Sequence, residues 1–239
     1  MGLQLSEADV WAARAELAKR SFSHFIRALD IPGAPIRDDD ECEEYQFFRV
    51  DEFAAHHAFL IDRLQALADA GENDCRNVMV FMPPGSAKST YASVMFPAWL
   101  MTRKSGYQFI LGSYNSTLAK KMGRKVRALV NSPKYRRLFS DIALMSDQKA
   151  ADEFALSNGS EYMSGGVSSG ITGNRADAVA IDDPVKGREE AESETTRTKV
   201  AEGYDDDFRT RLKPNGIKLI ILTRWHEDDL AGHILLFRS

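Results

Sequence analysis

Short apolar runs alternate with longer amphipathic segments over most of the chain. The apolar runs are residues 78–82, 108–112, 178–181 and 218–222. The segments with helical spacing of apolar residues are 89–102, 116–130, 189–211 and 226–236. Runs of this kind are typical of strands that are buried on both faces of a parallel sheet. The pattern therefore predicts an α/β fold with three layers, a mainly parallel central sheet flanked by helices.

The N-terminal part of the chain has a different pattern. Residues 7–29 and 51–70 have apolar residues at helical spacing, and the acidic residues 37–44 between them suit a solvated linker. Short strand-like pieces with several glycines predict a hairpin with a mobile loop at residues 153–172. We therefore expect N-terminal helices and the acidic linker within residues 1–50, and one α/β domain over residues 51–239.

Composition narrows the class of protein. The chain has 239 residues, a formal net charge of −4 and 44% hydrophobic residues. This charge argues against a surface that is basic throughout, although it allows a local basic face. No apolar run approaches the roughly 20 residues that span a bilayer, so no membrane partner is expected. Cys42 and Cys75 are isolated, which favours a reduced cytosolic setting without disulfides or zinc.

The stretch VMVFMPPGSAKST, residues 78–90, has the pattern of a phosphate-binding loop between a strand and a helix. Such loops bind phosphates through backbone N–H groups, the helix N-terminus and a lysine. The usual pattern has glycine at the position of Ala87, which can still offer its N–H if its φ is negative. The residues expected to bind the nucleotide are Pro84, Gly85, Ser86, Ala87, Lys88, Ser89 and Thr90. The alternative is an ordinary strand–turn–helix junction with a surface lysine.

The apolar run at residues 178–181 is followed by the acids Asp182 and Asp183. Parallel strands place such residues at the carboxyl edge of the sheet, beside the loop after the first strand. Asp182 and the Ser89 hydroxyl would then hold Mg²⁺. Asp183 would orient or deprotonate the attacking water, and Lys88 would contact the β and γ phosphates. Alone, the acidic pair also suits a turn that closes a strand.

The apolar run at residues 218–222 is followed by Thr223, Arg224, Trp225 and His226. A polar residue at the tip of a central strand can contact both the γ-phosphate and the chain behind it. Thr223 would therefore report hydrolysis to the rest of the molecule. His226 suits a helix cap as well as a catalytic role.

With these motifs in order, the chain resembles the N-terminal ATPase domain of the large terminase subunit of tailed double-stranded DNA bacteriophages. The matching motifs are MPPGSAKST (Walker A), GNRADAVAIDDP (Walker B with its upstream arginine) and LTRWHEDDLAG (the coupling region). Weaker similarities extend the resemblance over nearly the whole chain. It implies a P-loop NTPase of the ASCE, RecA-like type that uses ATP and Mg²⁺. In place of the usual second Walker B glutamate stands Asp183, which is shorter by one methylene.

The resemblance also implies a role and partners. Such motors hydrolyse ATP to translocate viral double-stranded DNA into a procapsid. They act as a ring of copies, with the portal protein and the small terminase subunit, in the cytoplasm of the infected bacterial host. The nuclease domain usual in the family is expected to be absent from this chain, and with it nuclease activity. Two alternatives remain: a helicase-like DNA remodelling ATPase, and a nucleotide-binding module that orders a ring without turnover.

Further residues receive roles from the resemblance. Arg175 aligns with the family's arginine finger, which acts on a neighbouring subunit; Arg224 and Arg127 are reserves. The alternative for Arg175 is a salt bridge with Asp177 or another nearby acid. Ahead of the first strand, two residues are expected to line the adenine pocket or to be ordinary polar residues. They are Gln46 and His57.

Residues 113–140 contain eight lysines and arginines and no acid. Like charges four residues apart repel each other along a helix unless an anion or an acidic neighbour offsets them. Three interpretations remain: a face that binds the DNA backbone, a face that meets the acidic helix of another subunit, and a solvated helix face.

Overall fold

The computed structural model describes residues 6–39, 42–71, 74–169, 171 and 175–236. In chain order, the α-helices are α1 (Glu7–Arg20), α2 (Phe22–Ala28), α3 (Ala55–Asp69), α4 (Phe96–Arg103), α5 (Ser116–Val130), α6 (Pro133–Leu138), α7 (Arg188–Glu192), α8 (Glu194–Gly203) and α9 (Leu230–Leu236). π-Helical turns at Thr90–Met95 and Tyr204–Phe208 adjoin α4 and α8, and a 3₁₀ turn follows at Arg209–Arg211. Within these described ranges, no helix is both long enough and apolar enough to cross a membrane.

The strands form a small pair and one large sheet. In chain order, they are β1 (Ile31–Pro35), β2 (Tyr45–Phe48), β3 (Asn77–Phe81), β4 (Gln108–Ser113), β5 (Leu144–Lys149), β6 (Glu153–Leu156), β7 (Glu161–Gly166), β8 (Ala176–Asp182) and β9 (Leu212–Leu222). β1 and β2 pair with each other, and the large sheet has the order β3-β9-β8-β4-β7-β6-β5. Five neighbouring strands of this sheet are parallel to each other: β3, β9, β8, β4 and β7. At the edge beyond β7, the strands β6 and β5 pair antiparallel. The predicted mainly parallel sheet is confirmed.

Successive side chains of the central strands enter two separate cores. Phe109 and Leu111 of β4 face a core formed with helices α1 to α6, whereas Ile110 faces a core formed with α8, α9 and the turn before β9. Because helices cover both faces of these strands, the strands need no polar alternation and read as continuous apolar runs. The helices and the sheet thus form three layers.

The helix predicted over residues 7–29 is two helices, which are separated at Ser21. The reason is a side chain from α3. Gln65 accepts a hydrogen bond from the N–H of Phe22 at 2.7 Å and donates one to the carbonyl of Arg20 at 3.1 Å. These bonds satisfy backbone groups that a continuous helix would have paired internally, so the break costs little.

The two N-terminal helices pack against α4. The Trp99 indole N–H donates to the carbonyl of Ala18 at 2.8 Å, and the ring of Phe22 stacks on Trp99 with centroids 4.9 Å apart. α1 and α2 therefore share a core with the sheet. The division of the chain at residue 50 stays a prediction.

Other predicted boundaries need correction. The helix predicted over residues 51–70 begins at Ala55, and the long helix predicted over residues 189–211 is interrupted at Ser193, which caps α8. The last helix begins at Leu230 instead of residue 226. The hairpin predicted within residues 153–172 is β6 and β7; its glycines at 170 and 173 lie outside the described residues.

Candidate active site

Polar residues follow three neighbouring strands where their carboxyl ends meet. β9 lies between β3 and β8, and the register pairs Phe81 with Leu222 and Ile221 with Asp182. The segment after β3, residues 82–87, is called the Pro-Gly loop below. Because the three strands end at the same level, the residues after them come together, as expected for the ligand-binding edge of a parallel sheet.

The Pro-Gly loop contains two left-handed residues. Gly85 has a φ of 76° and Ala87 a φ of 58°. The Ser86 hydroxyl donates to the carbonyl of Pro83 at 2.7 Å and closes the turn between them. The condition that the sequence analysis set for Ala87, a negative φ, is therefore not met. A left-handed conformation costs an alanine about 1 kcal/mol, whereas glycine adopts it without a clash.

Lys88 lies at the centre of the cluster. Its side chain is almost fully buried, and its Nζ lies 3.0 Å from Asp183 Oδ2 and 3.3 Å from Thr223 Oγ1. The Thr223 hydroxyl in turn donates to the carbonyl of Met82 at 3.0 Å, and the Thr223 N–H donates to Asp183 Oδ1 at 3.3 Å. The structure thus joins three of the four residues that were predicted to be catalytic.

Ser89 and Asp182 form the second contact across this edge. The Ser89 hydroxyl donates to Asp182 Oδ1 at 3.1 Å. Burial and the negative charge of Asp183 together raise the pKa of Asp182 to about 6, against the opposing effects of Ser93, Ser89 and Lys88. A bound cation would stabilise the ionised form of a carboxylate that is buried beside another acid.

The chemistry of these two residues fits Mg²⁺. Hydroxyl and carboxylate oxygens are hard ligands, and two neighbouring ligands at the usual Mg–O distance are about 3 Å apart. The observed separation of Ser89 Oγ and Asp182 Oδ1 is 3.1 Å. The part of the chain that the structure describes contains no cluster of three or more His, Cys, Asp or Glu that could enclose a metal ion. An ion held here would complete its shell with water and phosphate oxygens.

The two residues predicted for the adenine pocket lie in different places. His57, in the first turn of α3, contacts the Pro-Gly loop through its Nε2, which lies 3.1 Å from the Ser86 carbonyl oxygen. Its ring also packs on Tyr91 with centroids 4.9 Å apart. Burial lowers the pKa of His57, with a smaller contribution from neighbouring His56, against the raising effect of the bond to the Ser86 carbonyl. Gln46 is exposed on β2, and no contact between described residues links it to the loop.

Arg175 is far from the cluster of its own chain. It directly precedes β8, at the end opposite to Asp182, and the length of the strand separates the two by about 20 Å. There it lines a small cavity of about 140 Å³ with Glu153 and Glu161. The alternative partner Asp177 is held by other cations: Lys213 at 2.9 Å and Lys104 at 3.6 Å.

The two reserve arginines have partners within the chain. Arg224 pairs with the buried Asp229 at 2.6 Å and also lies over the ring of Phe81. Arg127 pairs with Glu43 at 3.2 Å. His226, between Thr223 and α9, accepts a hydrogen bond at its Nδ1 from the N–H of Asp228 at 3.0 Å, within the turn that precedes α9. The side chain that caps α9 is Asp229, whose Oδ1 accepts from the N–H of Gly232 at 3.0 Å, so His226 is not the helix cap.

At least four of the eight basic residues between 113 and 140 pair with acids from other parts of the chain. The pairs are Lys120 with Asp152 at 3.1 Å, Arg127 with Glu43 at 3.2 Å, Lys134 with Asp30 at 2.6 Å, and Arg137 with Glu7. On α5, Asp152 offsets part of the charge of Lys120, whereas burial and the charge of Lys121 lower the pKa of Lys125. The DNA-binding and inter-subunit interpretations of this face stay predictions.

The sequence analysis missed Ser113 as part of the site. This buried residue ends β4, next to β8, and its hydroxyl donates to the Asp182 carbonyl at 2.8 Å. It fixes the backbone of a candidate metal ligand. The signal was the same one that identified Thr223, a polar residue directly after an apolar run.

Comparison with known families identifies a match over the candidate site. A family model described as terminase large subunit, T4likevirus-type, N-terminal, matches residues 79–234, about two thirds of the chain. That range begins in β3 and ends in α9, so it includes every residue of the Lys88 cluster. A search of curated proteins found no match.

Proposed function

The chain belongs to the terminase large-subunit family, which acts in phage DNA packaging, and on that premise we propose that it is an ATPase that moves double-stranded DNA into a procapsid. The proposal includes a P-loop NTPase of the ASCE, RecA-like type, and the mainly parallel sheet with helices on both faces supports it. The observation that carries it is the contact of Lys88 with both Asp183 and Thr223, which joins all three strand ends around one buried cation.

Phosphate binding would use the Pro-Gly loop and the residues after it. Bound ATP with Mg²⁺ supplies the phosphoanhydride bond and the cation that offsets the charge on its phosphates. Lys88 neutralises the β and γ phosphates, and the N–H groups from Gly85 to Thr90 donate to their oxygens. Ser89 and Asp182 would hold Mg²⁺.

Asp183 has a different task. In the nucleotide-free protein its carboxylate neutralises Lys88. A γ-phosphate that takes over Lys88 leaves Asp183 free to accept a hydrogen bond, or a proton, from the attacking water. Thr223 contacts both Lys88 and Asp183. It would therefore shift when Lys88 exchanges Asp183 for the γ-phosphate, and would relay the state of the nucleotide to β9.

The family also supports the proposed partners: double-stranded DNA, further copies of the chain in a ring, the portal protein and the small terminase subunit. Arg175 fits such a ring, because it lies far from its own Asp182 and is exposed. In this assembly it would reach the site of a neighbouring copy and stabilise charge in the transition state. The site of action would be the portal in the host cytoplasm.

The Asp183→Asn variant tests the proposal. It should bind ATP at least as tightly as the wild type, because Lys88 loses a competing anion, while hydrolysis in the complete packaging assembly falls at least about 100-fold. Asp177→Asn is the matched control, since Asp177 lies on β8, the strand that Asp183 directly follows, and also pairs with lysines. Unchanged hydrolysis in Asp183→Asn contradicts the assignment. A wild type that binds ATP, assembles and never hydrolyses it would instead be the ring-ordering module.

A further inference from the structure

His57 makes one polar contact with the Pro-Gly loop, and that contact is to the backbone. Its Nε2 lies 3.1 Å from the Ser86 carbonyl oxygen. A carbonyl oxygen only accepts, so this ring nitrogen carries the hydrogen and donates it. The ring is held in place by its packing on Tyr91 of the π-helical turn. The N–H of Tyr91 donates to the carbonyl of Ala87 at 3.2 Å.

The bonded carbonyl belongs to the peptide that enters the strained residue. The Ser86–Ala87 peptide is planar and trans, so fixing its C=O also fixes the Ala87 N–H, which points the opposite way. The φ of 58° at Ala87 is part of this orientation. An alanine released from it gains free energy by returning to a negative φ, and the peptide then turns. The left-handed conformation of Ala87 therefore needs stabilisation by a residue outside the loop, which a glycine at this position would not need.

We infer that His57 is a positioning residue that holds the Ser86–Ala87 peptide so that the Ala87 N–H faces the nucleotide's phosphates. This inference rests on the proposed ATP site and differs from the adenine contact expected from the sequence. The Nε2 hydrogen is used by the loop and is therefore not available for a hydrogen bond to the base. The chain thus combines an alanine in place of the usual glycine with a histidine that compensates for it.

Amide hydrogen exchange in the nucleotide-free protein tests the hold itself. His57→Phe keeps a ring against Tyr91 but removes the donor, and exchange over residues 83–90 should become roughly fivefold faster, the effect of losing one neutral hydrogen bond. His57→Gln keeps an N–H at similar reach and should restore most of the protection. Adding Ala87→Gly to His57→Phe should also restore it, because glycine tolerates the loop conformation. His56→Phe is the control, since His56 is exposed and its ring lies against that of His57 with centroids 4.1 Å apart, a contact that phenylalanine keeps.

Binding of ATP and of inorganic tripolyphosphate separates positioning from base contact. His57→Phe should weaken both ligands by a similar factor of about five, and the second change Ala87→Gly should recover both. Unchanged exchange in His57→Phe overturns the inference, and so does a loss for ATP alone. A wild type that binds neither ligand refutes the proposed function; the exchange comparison still decides whether His57 holds the loop.

Discussion

Lys88 and Asp183 form a salt bridge whose two members are unequally buried. Their charged atoms are 3.0 Å apart, and the side chains are 6% and 33% exposed, respectively. Removing the carboxylate leaves a buried ammonium with one neutral partner, whereas removing the ammonium leaves a carboxylate that water reaches. The two halves of the pair therefore contribute unequally to the stability of the nucleotide-free protein.

Asp183→Asn should lower the free energy of unfolding by about 1–3 kcal/mol, and Lys88→Met by less than about 1 kcal/mol. Urea unfolding at neutral pH without nucleotide measures both. Arg20→Ala, which removes an exposed pair with Glu16, should stay within about 0.5 kcal/mol of the wild type. A larger loss in Lys88→Met than in Asp183→Asn would contradict the unequal burial.

Asp182 gives the site a stability that depends on pH. Its pKa is about 6 in the folded protein, against an ordinary value of 3.8. The folded state thus binds this proton more tightly, so the contribution is fully present below pH 3.8 and is lost as pH rises through 6. The difference corresponds to about 3 kcal/mol at pH 8.

Asp182→Asn removes the decrease in stability that ionisation of Asp182 causes as the pH rises. Without Mg²⁺ or nucleotide, we expect the variant to be more stable than the wild type by about 1–3 kcal/mol at pH 8 and nearly equal to it at pH 4. Denaturation at a series of pH values measures the difference. Asp177→Asn should behave oppositely. Burial alone would raise the pKa of Asp177, but bonds from the Gln108 N–H and Lys213 lower it overall, so this variant loses stability at neutral pH.

The sequence predicted most of the site because its signals are local. An apolar run that ends in a polar residue identifies both the strand and the residue at its carboxyl end, and this rule gave Asp182, Asp183 and Thr223. The register of parallel strands then brings these ends together without further information.

The features that the sequence did not predict depend on distant partners. The break at Ser21 requires Gln65, whose hydrogen bonds reach back over more than forty residues. Neutralisation of the basic face requires acids such as Glu43 and Asp152. The positive φ of Ala87 follows from closing the loop between β3 and the next helix, a constraint that no residue-by-residue pattern contains.

The strain at Ala87 predicts that a glycine is preferable there. Ala87→Gly should raise the free energy of unfolding by about 0.5–1 kcal/mol, because relief of the left-handed strain exceeds the entropy that glycine adds to the unfolded chain. Thermal or urea unfolding measures it. Ala13→Gly, at an exposed position in the middle of α1, is the matched control and should lose about 1 kcal/mol. Destabilisation in both variants would show that the loop stores no strain at this residue.

The position of Arg175 predicts a site that is completed between subunits. Arg175→Ala should leave ATP binding by the separate chain unchanged, because about 20 Å of strand separates the guanidinium from Asp182. It should lower hydrolysis about 10³-fold where subunits associate, the usual scale for an arginine finger. The wild-type rate per chain should rise with protein concentration, and this rise should be lost in Arg175→Ala but kept in Arg20→Ala. In mixtures, each variant subunit should silence a neighbour whose own site is intact, so activity falls faster than the wild-type fraction. Activity in strict proportion to the wild-type fraction would place the finger elsewhere.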